Sequence, residues 1–257
     1  MPPVRIAMWS GPRNISTALM RSWGSRPDTA VTDEPLYGHY LRARPEVDHP
    51  GREEVVASMD CNWRSIASTL TGPVPGGKPI WYQKHMAHHL TPDVDRAWVV
   101  GPAATAAGEP LAGPALFNCL LIRDPREVLI SLAKVMPRPD VVDTGLPQQL
   151  ELFHLISRTA GTPPPILDAR DILLDPPRML RALCAAAGVP FLPSMLSWAP
   201  GPRPEDGIWA KHWYAAVEKS TGFEPYRERD EPLPAHLADV HARCLIIYDQ
   251  LCRHRIP

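Results

Sequence analysis

The residues best suited to hold a charged ester lie near the amino end, in a turn between a short apolar run and a helical pattern. Residues 4–8 are apolar and predict a buried strand, and apolar side chains recur at helical spacing from Ile15 to Trp23. Gly and Pro at residues 11–12 make the turn, and a serine and a threonine open the helix. Free main-chain N–H groups and the positive end of the helix dipole meet at such a point, which favours a bound phosphate or sulfate ester.

Arg13 supplies a fixed positive charge inside this turn. The order Gly-x4-Gly-Lys-Ser/Thr of ATP- and GTP-binding loops is absent, because no lysine precedes Ser16. The pattern therefore favours a phosphate or sulfate ester and argues against an ordinary ATPase or GTPase. The residues expected to bind that ester are Arg13, Asn14, Ile15, Ser16 and Thr17.

Two blocks of sequence resemble a known family. Residues 13–19 resemble the 5′-phosphosulfate loop of sulfotransferases that use 3′-phosphoadenosine-5′-phosphosulfate (PAPS). Residues 120–131, an apolar strand followed by Arg-Asp-Pro-Arg-Glu-Val and a serine, are similar to the family's 3′-phosphate motif. The resemblance implies PAPS as donor substrate and PAP as product. It also implies an α/β fold, with a P-loop-type parallel sheet flanked by helices, and donor-binding roles for Arg123 and Ser131.

The second block has the residue types that a strand-to-helix phosphate site needs. Arg123 ends the strand, Asp124 is the expected helix cap, and Pro125 takes the first helical position, where a missing N–H costs nothing. Ser131 lies under two turns further on and can turn its hydroxyl toward the same phosphate. A salt-bridged arginine and a serine bonded to its own helix are the alternatives.

More distant similarities extend from about residue 6 to residue 223. Residues 168–176 are similar to the family's Tyr-Glu-Asp-Leu-x-x-Asp-Pro segment, and residues 207–213 resemble its Gly-Asp-Trp-Lys-x-His-Phe segment. The chain is most similar to a bacterial and plant sulfotransferase-like group, whose plant members carry a branched-chain-aminotransferase-like label. The family's Arg-Lys-Gly, which holds the 3′-phosphate, is absent, and Arg203 is a candidate replacement. The pieces shared with the group are Pro-Arg-Asn-x-Ser-Thr at 12–17, Asp-Glu-Pro-Leu-Tyr at 33–37, Lys-His-Met-Ala at 84–87 and Ser-Thr-Gly-Phe at 220–223.

Four residues are candidates for the chemical step. The resemblance implies an acidic base after the second strand, where Glu34 stands; to act near neutrality its pKa must be raised by burial. Lys84 would stabilise the bridging oxygen as the S–O bond breaks, and Arg13 would neutralise charge on the transferred group. His85 is the alternative base. A structural Glu34–Arg13 pair and an exposed Lys84 are the competing interpretations.

His85, His88 and His89 also suggest zinc, but they lack nearby cysteines and the His-Glu-x-x-His pattern, so we expect no metal. By analogy Trp209 and Lys211 would close over the adenine, with packing in the core as the alternative for Trp209.

Strands and helices alternate along the chain, which predicts a parallel sheet covered on both faces. Ligands of such sheets bind outside the carboxyl ends of the strands, where Arg13, Glu34, Lys84 and Arg123 are all expected. The predicted strands are residues 4–8, 30–32, 80–82, 117–122 and 165–167. The predicted helices are residues 14–25, 52–70, 125–135, 147–159, 176–187 and 236–252. Residues 99–115 are expected to form a solvent loop, residues 136–146 a lid over the substrate, and residues 198–207 a Pro-rich loop.

Composition narrows the class of protein. At 257 residues we expect a single domain over residues 1–257. A net charge of −1 argues against nucleic acid or a membrane surface as the main partner. With no apparent signal peptide or membrane span, and five scattered cysteines without ligand spacing, we expect a reduced cytoplasmic protein. A homodimer is left open.

The sequence therefore predicts a PAPS-dependent sulfotransferase acting on a hydroxyl or amine of a small molecule. An ATP-dependent small-molecule kinase on the same scaffold is one alternative, although no P-loop lysine or Mg²⁺ carboxylate is visible. A non-catalytic PAP- or PAPS-binding protein is another. The aminotransferase label of the plant relatives would need a Schiff-base lysine, and no lysine stands in that context.

Overall fold

The computed structural model describes residues 3–101 and 116–257. Most of the solvent loop expected at residues 99–115 lies outside the described residues.

The described residues form one five-stranded parallel sheet. Its strands are β1 (Val4–Ser10), β2 (Thr29–Asp33), β3 (Ile80–Met86), β4 (Phe117–Ile122) and β5 (Ile166–Asp168). Their order in the sheet is β2-β3-β1-β4-β5, with every neighbouring pair parallel. The predicted α/β fold with a parallel sheet flanked by helices is confirmed.

Eleven α-helices connect and cover the strands over the described ranges. They are α1 (Ser16–Gly24), α2 (Tyr37–Ala43), α3 (Arg52–Ser58), α4 (Trp63–Thr71), α5 (Ala97–Val100), α6 (Pro125–Leu132), α7 (Leu146–Ala160), α8 (Ala169–Leu174), α9 (Pro176–Ala186), α10 (Ala210–Trp213) and α11 (Ala238–Cys252). None of the helices in residues 3–101 and 116–257 is both long and apolar enough to cross a bilayer.

One predicted helix is wrong. The pattern over residues 52–70 is split into α3 and α4, because Met59 adopts an extended conformation and Asn62 caps a new helix. The Asn62 side chain accepts a hydrogen bond from the N–H of Arg64 over 3.0 Å, which satisfies a donor in the first turn of α4. The four short helices α2, α5, α8 and α10 were not predicted.

Both faces of the sheet are buried, because alternate residues of the central strands pack into two apolar cores. Ile6, Met8 and Tyr82 belong to one core, whereas Trp9 and Trp81 belong to the other. The face on which a residue of β1 or β3 lies is therefore decided by its position in the alternation. Lys84 and His85, two of the candidate catalytic residues, are consecutive in β3 and therefore lie on opposite faces of the sheet.

The segment expected to form a lid is packed into the structure. Residues Val141–Thr144 form a 3₁₀ turn in which Val141 and Thr144 are buried. The carbonyl oxygen of Thr144 lies so close to Gly11 that a Cβ built there would stand 2.2 Å from it. Gly11 is therefore required by a close approach of two backbones, and this turn packs against the loop that follows β1.

Candidate active site

The loop between β1 and α1 presents open main-chain donors. No side chain caps the start of α1, where Ile15 stands at the N-cap position. Within the described ranges, the N–H groups of Ser16, Thr17 and Ala18 have no acceptor. Arg13 has a positive φ of 56°, a conformation that a non-glycine residue rarely adopts and that is common at functional sites. Open N–H groups at a helix start can bind an anion.

Asn14 fastens this loop to the neighbouring strand. Its side-chain amide donates to the carbonyl of Leu121 in β4 over 3.1 Å, and its Oδ1 accepts from the N–H of Ile15 over 2.8 Å. Gln149 of α7 donates to the same Leu121 carbonyl and to that of Trp9, both over 2.9 Å. The geometry gives Asn14 an anchoring function, and contact with a ligand remains a prediction for it.

The two arginine motifs predicted from the sequence meet in the fold. Arg13 Nε donates to Ser131 Oγ over 2.9 Å, and Arg123 Nη1 donates to the main-chain oxygen of Arg13 over 2.9 Å. Asp124 caps α6 as expected, accepting from the N–H of Arg126 over 2.7 Å. Burial, followed by repulsion from Arg229 and Arg123, lowers the pKa of Arg13.

A carboxylate balances Arg123. Glu127 Oε2 accepts from Arg123 Nε and Nη2 over 2.9 and 2.6 Å, and Glu127 Oε1 accepts from the hydroxyl of Tyr226 over 2.8 Å. Beside this pair lies a cavity of about 270 Å³. Its polar lining includes Arg123, Asp168, Arg170, Tyr226 and Tyr248.

Arg229 is a candidate site residue that the sequence reasoning missed. It lies close enough to Arg13 to lower the pKa of that guanidinium, and its carbonyl accepts from Arg126 Nη1 over 2.8 Å. Arg203, the proposed replacement for the missing Arg-Lys-Gly, instead donates to the carbonyl of Ala199 over 2.9 Å. The alternating charges at residues 227–231 are the signal that could have directed attention to Arg229.

At the ends of β2 and β3, Lys84 joins two carboxylates. Its ammonium, which has no exposed surface, donates to Asp33 Oδ1 over 2.8 Å, Glu34 Oε1 over 2.5 Å and the hydroxyl of Tyr214 over 2.7 Å. The Tyr214 hydroxyl donates in turn to Asp33 Oδ2 over 2.7 Å. Glu34 is therefore paired with Lys84 and not with Arg13, the structural pairing considered above.

The contacts within this cluster shift the pKa values of both Glu34 and Lys84. Burial raises the pKa of Glu34, and Asp33 adds to the rise while Lys84 opposes it. Burial disfavours the Lys84 ammonium, but Asp33 and Glu34 outweigh it and hold its pKa well above the usual value. All three donors of Lys84 are used, so a bond to a bridging oxygen would require one of these contacts to open. Glu34 also has a positive φ of 40°.

The structure does not bring His85 to this cluster. His85 follows Lys84 in β3 and so lies on the opposite face, stacked on Trp9 with ring centroids 4.1 Å apart and packed near Trp98. Burial lowers its pKa to about 3. Trp209 is also buried, edge-on against Tyr37 at 4.9 Å. Lys211 forms an exposed ion pair with Glu54.

His89 was considered in the sequence only with His85 and His88 as a zinc ligand, and the structure places it beside Glu34. Its Nε2 lies 4.0 Å from Glu34 Oε2, and its ring is stacked between Tyr37 and Tyr40. Within residues 3–101 and 116–257 no group of three or more metal-ligating side chains is assembled.

Comparison with known proteins gives a consistent result. A family model described as a sulfotransferase domain matches residues 4–254. Two Arabidopsis thaliana proteins, branched-chain-amino-acid aminotransferase-like proteins 1 and 2, are 35% identical over 252 residues and 33% identical over 249 residues. These matches cover 98% and 97% of this chain but 42% and 41% of the relatives, so the chain spans about two fifths of their length.

Three solved structures share the fold over the whole chain. The sulfotransferase domain of the curacin biosynthetic pathway has a TM-score of 0.53 at 14% identity, covering 100% of this chain and 99% of that one. The sulfotransferase domain of the Synechococcus PCC 7002 olefin synthase has a TM-score of 0.54 at 16% identity, with coverage of 100% and 97%. A sulfotransferase from Alicyclobacillus acidocaldarius has a TM-score of 0.52 at 13% identity, with the same coverage. At these identities the likeness shows the fold.

Proposed function

This chain belongs to the sulfotransferase-domain family, and on that premise we propose that it moves a sulfuryl group from PAPS to a hydroxyl or amine of a small molecule. One observation carries the proposal. Arg123 of the second motif bonds to the main-chain oxygen of Arg13 in the first, beside the open N–H groups of the α1 first turn. The two motifs predicted to bind anions thus lie at one edge of the sheet, an arrangement that would suit a donor with two separate phosphate groups.

The donor groups fit the residues present. The first-turn N–H groups and Arg13 would hold the phosphosulfate, since they offer main-chain donors and a fixed cation at one point. Arg123, Ser131 and Arg229 would hold the 3′-phosphate, the last in place of the missing Arg-Lys-Gly. The cavity of about 270 Å³ next to Arg123 would take part of the nucleoside.

For the chemical step, Glu34 is the proposed base in preference to His85. Its Oε2 is free of Lys84, burial raises its pKa, and it follows the strand beside β3. It would take the acceptor proton as the acceptor oxygen or nitrogen bonds to sulfur and the bond from sulfur to the bridging phosphate oxygen breaks. Charge on that oxygen would be stabilised by Arg13 and the first-turn N–H groups, so positioning and electrostatics carry the reaction.

We assign Lys84 the task of holding this base. Its three hydrogen bonds fix Asp33, Glu34 and Tyr214 relative to one another, and its fully buried ammonium opposes the rise that burial causes in the pKa of Glu34. The same three bonds leave Lys84 unsuited to form a Schiff base.

The test is transfer of radiolabelled sulfur. Wild-type protein is incubated with labelled PAPS and pools of small hydroxyl and amine compounds, and products are separated by chromatography. We expect label in an acceptor with wild type, strongly reduced with Arg123→Ala and undiminished with the Arg203→Ala control. Transfer of labelled phosphate from ATP–Mg²⁺ to the same pools, with none from PAPS, would establish the kinase alternative.

A further inference from the structure

The outer side of helix α11 carries an exposed isoleucine. On the inner side, Cys244 and Leu251 are buried in the core, and Tyr248 packs against the same core. Ile246 is two residues from Cys244, so it lies about 200° further around the helix axis, on the side away from the core. It is 71% exposed, the largest exposed fraction among the large apolar side chains of residues 3–101 and 116–257. A single exposed apolar residue is common on protein surfaces, so the residues around it decide what it means.

The charged residues around Ile246 are arranged symmetrically about it. Asp239 stands seven residues before Ile246, and Arg253 stands seven residues after it. Arg243 stands three residues before it and Asp249 three residues after, and all four charged residues are exposed. Such spacings keep them on the side of α11 that Ile246 occupies. Together with one exposed alanine they form the outer stripe of α11, which is Asp239, Ala242, Arg243, Ile246, Asp249 and Arg253. When the stripe is read in the reverse direction, each acidic position becomes basic and the isoleucine stays at the centre.

This charge pattern distinguishes two ways of pairing α11 with a second copy of itself. In an antiparallel pair with a two-fold axis at Ile246, Asp239 of one copy faces Arg253 of the other, and symmetry makes this contact occur twice. Arg243 and Asp249 of the two copies come level with each other at the edges of the same contact. In a parallel pair each residue faces its own copy, so like charges meet, which is unfavourable. The outer stripe is therefore complementary to itself in the antiparallel orientation.

We propose that the outer stripe of α11 is the interface of a homodimer, in which two copies of this helix pack antiparallel about a two-fold axis at Ile246. The two Ile246 side chains bury each other at the centre, which removes their apolar surface from water. The small Ala242 lets the helix axes approach to the usual distance of about 8–10 Å. The Asp239 side chain is 83% exposed and lies 3.7 Å from Arg243, so it is open to the guanidinium of Arg253 in the second copy.

The size of this surface sets the expected strength of the dimer. α11 has 15 residues and is therefore about 22 Å long. One pair of such helices gives an interface near the lower limit of specific assemblies, so we expect a Kd of about 1–100 μM. Tyr248, which lines the cavity next to Arg123, is two residues from Ile246 and lies on the opposite side of the helix. Pairing through the outer stripe leaves that cavity open, and the inference does not depend on the proposed transfer reaction.

Sedimentation velocity of the full chain, at concentrations of about 1–500 μM, tests whether the dimer forms through this stripe. We expect wild type to change from monomer to dimer over this range, and Ile246→Glu to stay monomeric because the dimer would bury its charge. Leu174→Glu is the matched control, since Leu174 is 59% exposed on α8 and its replacement should leave the dimer intact. Wild type that stays monomeric throughout would overturn the proposal and leave the stripe to a different protein. A dimer that survives Ile246→Glu would place the interface elsewhere and overturn it as well.

Reversal of the charges tests the antiparallel orientation. Asp239→Lys and Arg253→Glu should each weaken the dimer about five- to tenfold at low salt, because each brings like charges together twice. The variant with both changes should associate as tightly as wild type, since opposite charges face each other again. When that variant is labelled with a fluorophore and mixed with wild type, it should pair with itself and not with wild type. Single variants that associate normally, or losses that add in the double variant, would overturn the antiparallel arrangement.

Discussion

Arg123 Nη1 donates a hydrogen bond to the main-chain oxygen of Arg13 over 2.9 Å, which joins two loops that lie 110 residues apart in sequence. The bond holds the loop after β1 from the side of β4, while Asn14 holds it from the same strand through the carbonyl of Leu121. Arg13, in its positive-φ conformation, is thus supported on both sides. The two motifs are therefore joined to each other, and we expect a change in either to be felt at both.

Replacing Lys84 should destabilise the fold. Lys84→Met removes the one cation between Asp33 and Glu34 and leaves two buried carboxylates side by side. Breaking a buried ion pair in this way costs about 3–5 kcal/mol of the free energy of unfolding. Urea denaturation monitored by circular dichroism measures the loss. The exposed Lys219→Met should change stability by less than about 0.5 kcal/mol. A Lys84 variant as stable as wild type would show that the cluster is not closed in solution.

The pH dependence of turnover should report Glu34. Because burial raises the pKa of this carboxyl and only the ionised form can take a proton, the rate should fall as pH decreases through a value above the ordinary 4.5. Glu34→Gln should lower kcat by about 10²–10⁴ and remove this acid limb. His85→Phe, on the other face of the sheet, should keep the limb. An acid limb that persists in Glu34→Gln would assign the base elsewhere.

The backbone at Arg13 predicts an inverted order of stability for glycine and alanine. At a φ of 56° an alanine keeps the strain and a glycine relieves it, so Arg13→Gly should be about 1 kcal/mol more stable than Arg13→Ala. At Arg158, exposed within α7, alanine should instead be the more stable by about 1 kcal/mol. Thermal unfolding of the four variants measures both differences. The same order at both positions would contradict the strained loop.

Buried histidines should weaken the fold in mild acid. Burial lowers the pKa of His85 and His88 to about 3 from the ordinary 6.5. The unfolded chain takes up these protons first, so the stabilisation is complete above pH 6.5 and is lost as pH falls toward 3. As the pH falls from about 7.5 to about 5.5, each of these buried histidines should lower the free energy of unfolding by about 1.4 kcal/mol. His85→Phe should reduce that pH-dependent loss by this amount, and His154→Phe, at an exposed position, should leave it unchanged.

Local patterns in the sequence correctly predicted helix ends that are set by residues close together in the chain. The Asp124–Pro125 pair correctly marked the start of α6, and the helix predicted over residues 176–187 is α9, which Asp175 caps and Gly188 follows with a φ of 68°. These signals work because capping is decided within one turn of helix. Asn62, the cap that splits residues 52–70, is a signal of the same kind that the helical periodicity concealed. The single-domain organisation stays a prediction.

Contacts between distant segments could not be read in this way. Tyr214 reaches Lys84 across 130 residues, and Arg229 reaches the Arg13 loop from the far end of the chain. The placement of Lys84 and His85 on opposite faces of the sheet could in principle have been predicted from the sequence. Once β3 is known to run to Met86, alternation places the two on opposite faces. Predicting that strand to end at residue 82 hid this consequence.

The most direct test of the donor site is calorimetric titration with PAP, and separately with ATP–Mg²⁺, of wild type, Arg123→Ala and the Arg203→Ala control. We expect micromolar PAP binding by wild type and by Arg203→Ala, a loss of about tenfold or more in Arg123→Ala, and weak binding of ATP–Mg²⁺. Tight binding of ATP–Mg²⁺ together with indifference to PAP would contradict it and assign the site to a kinase.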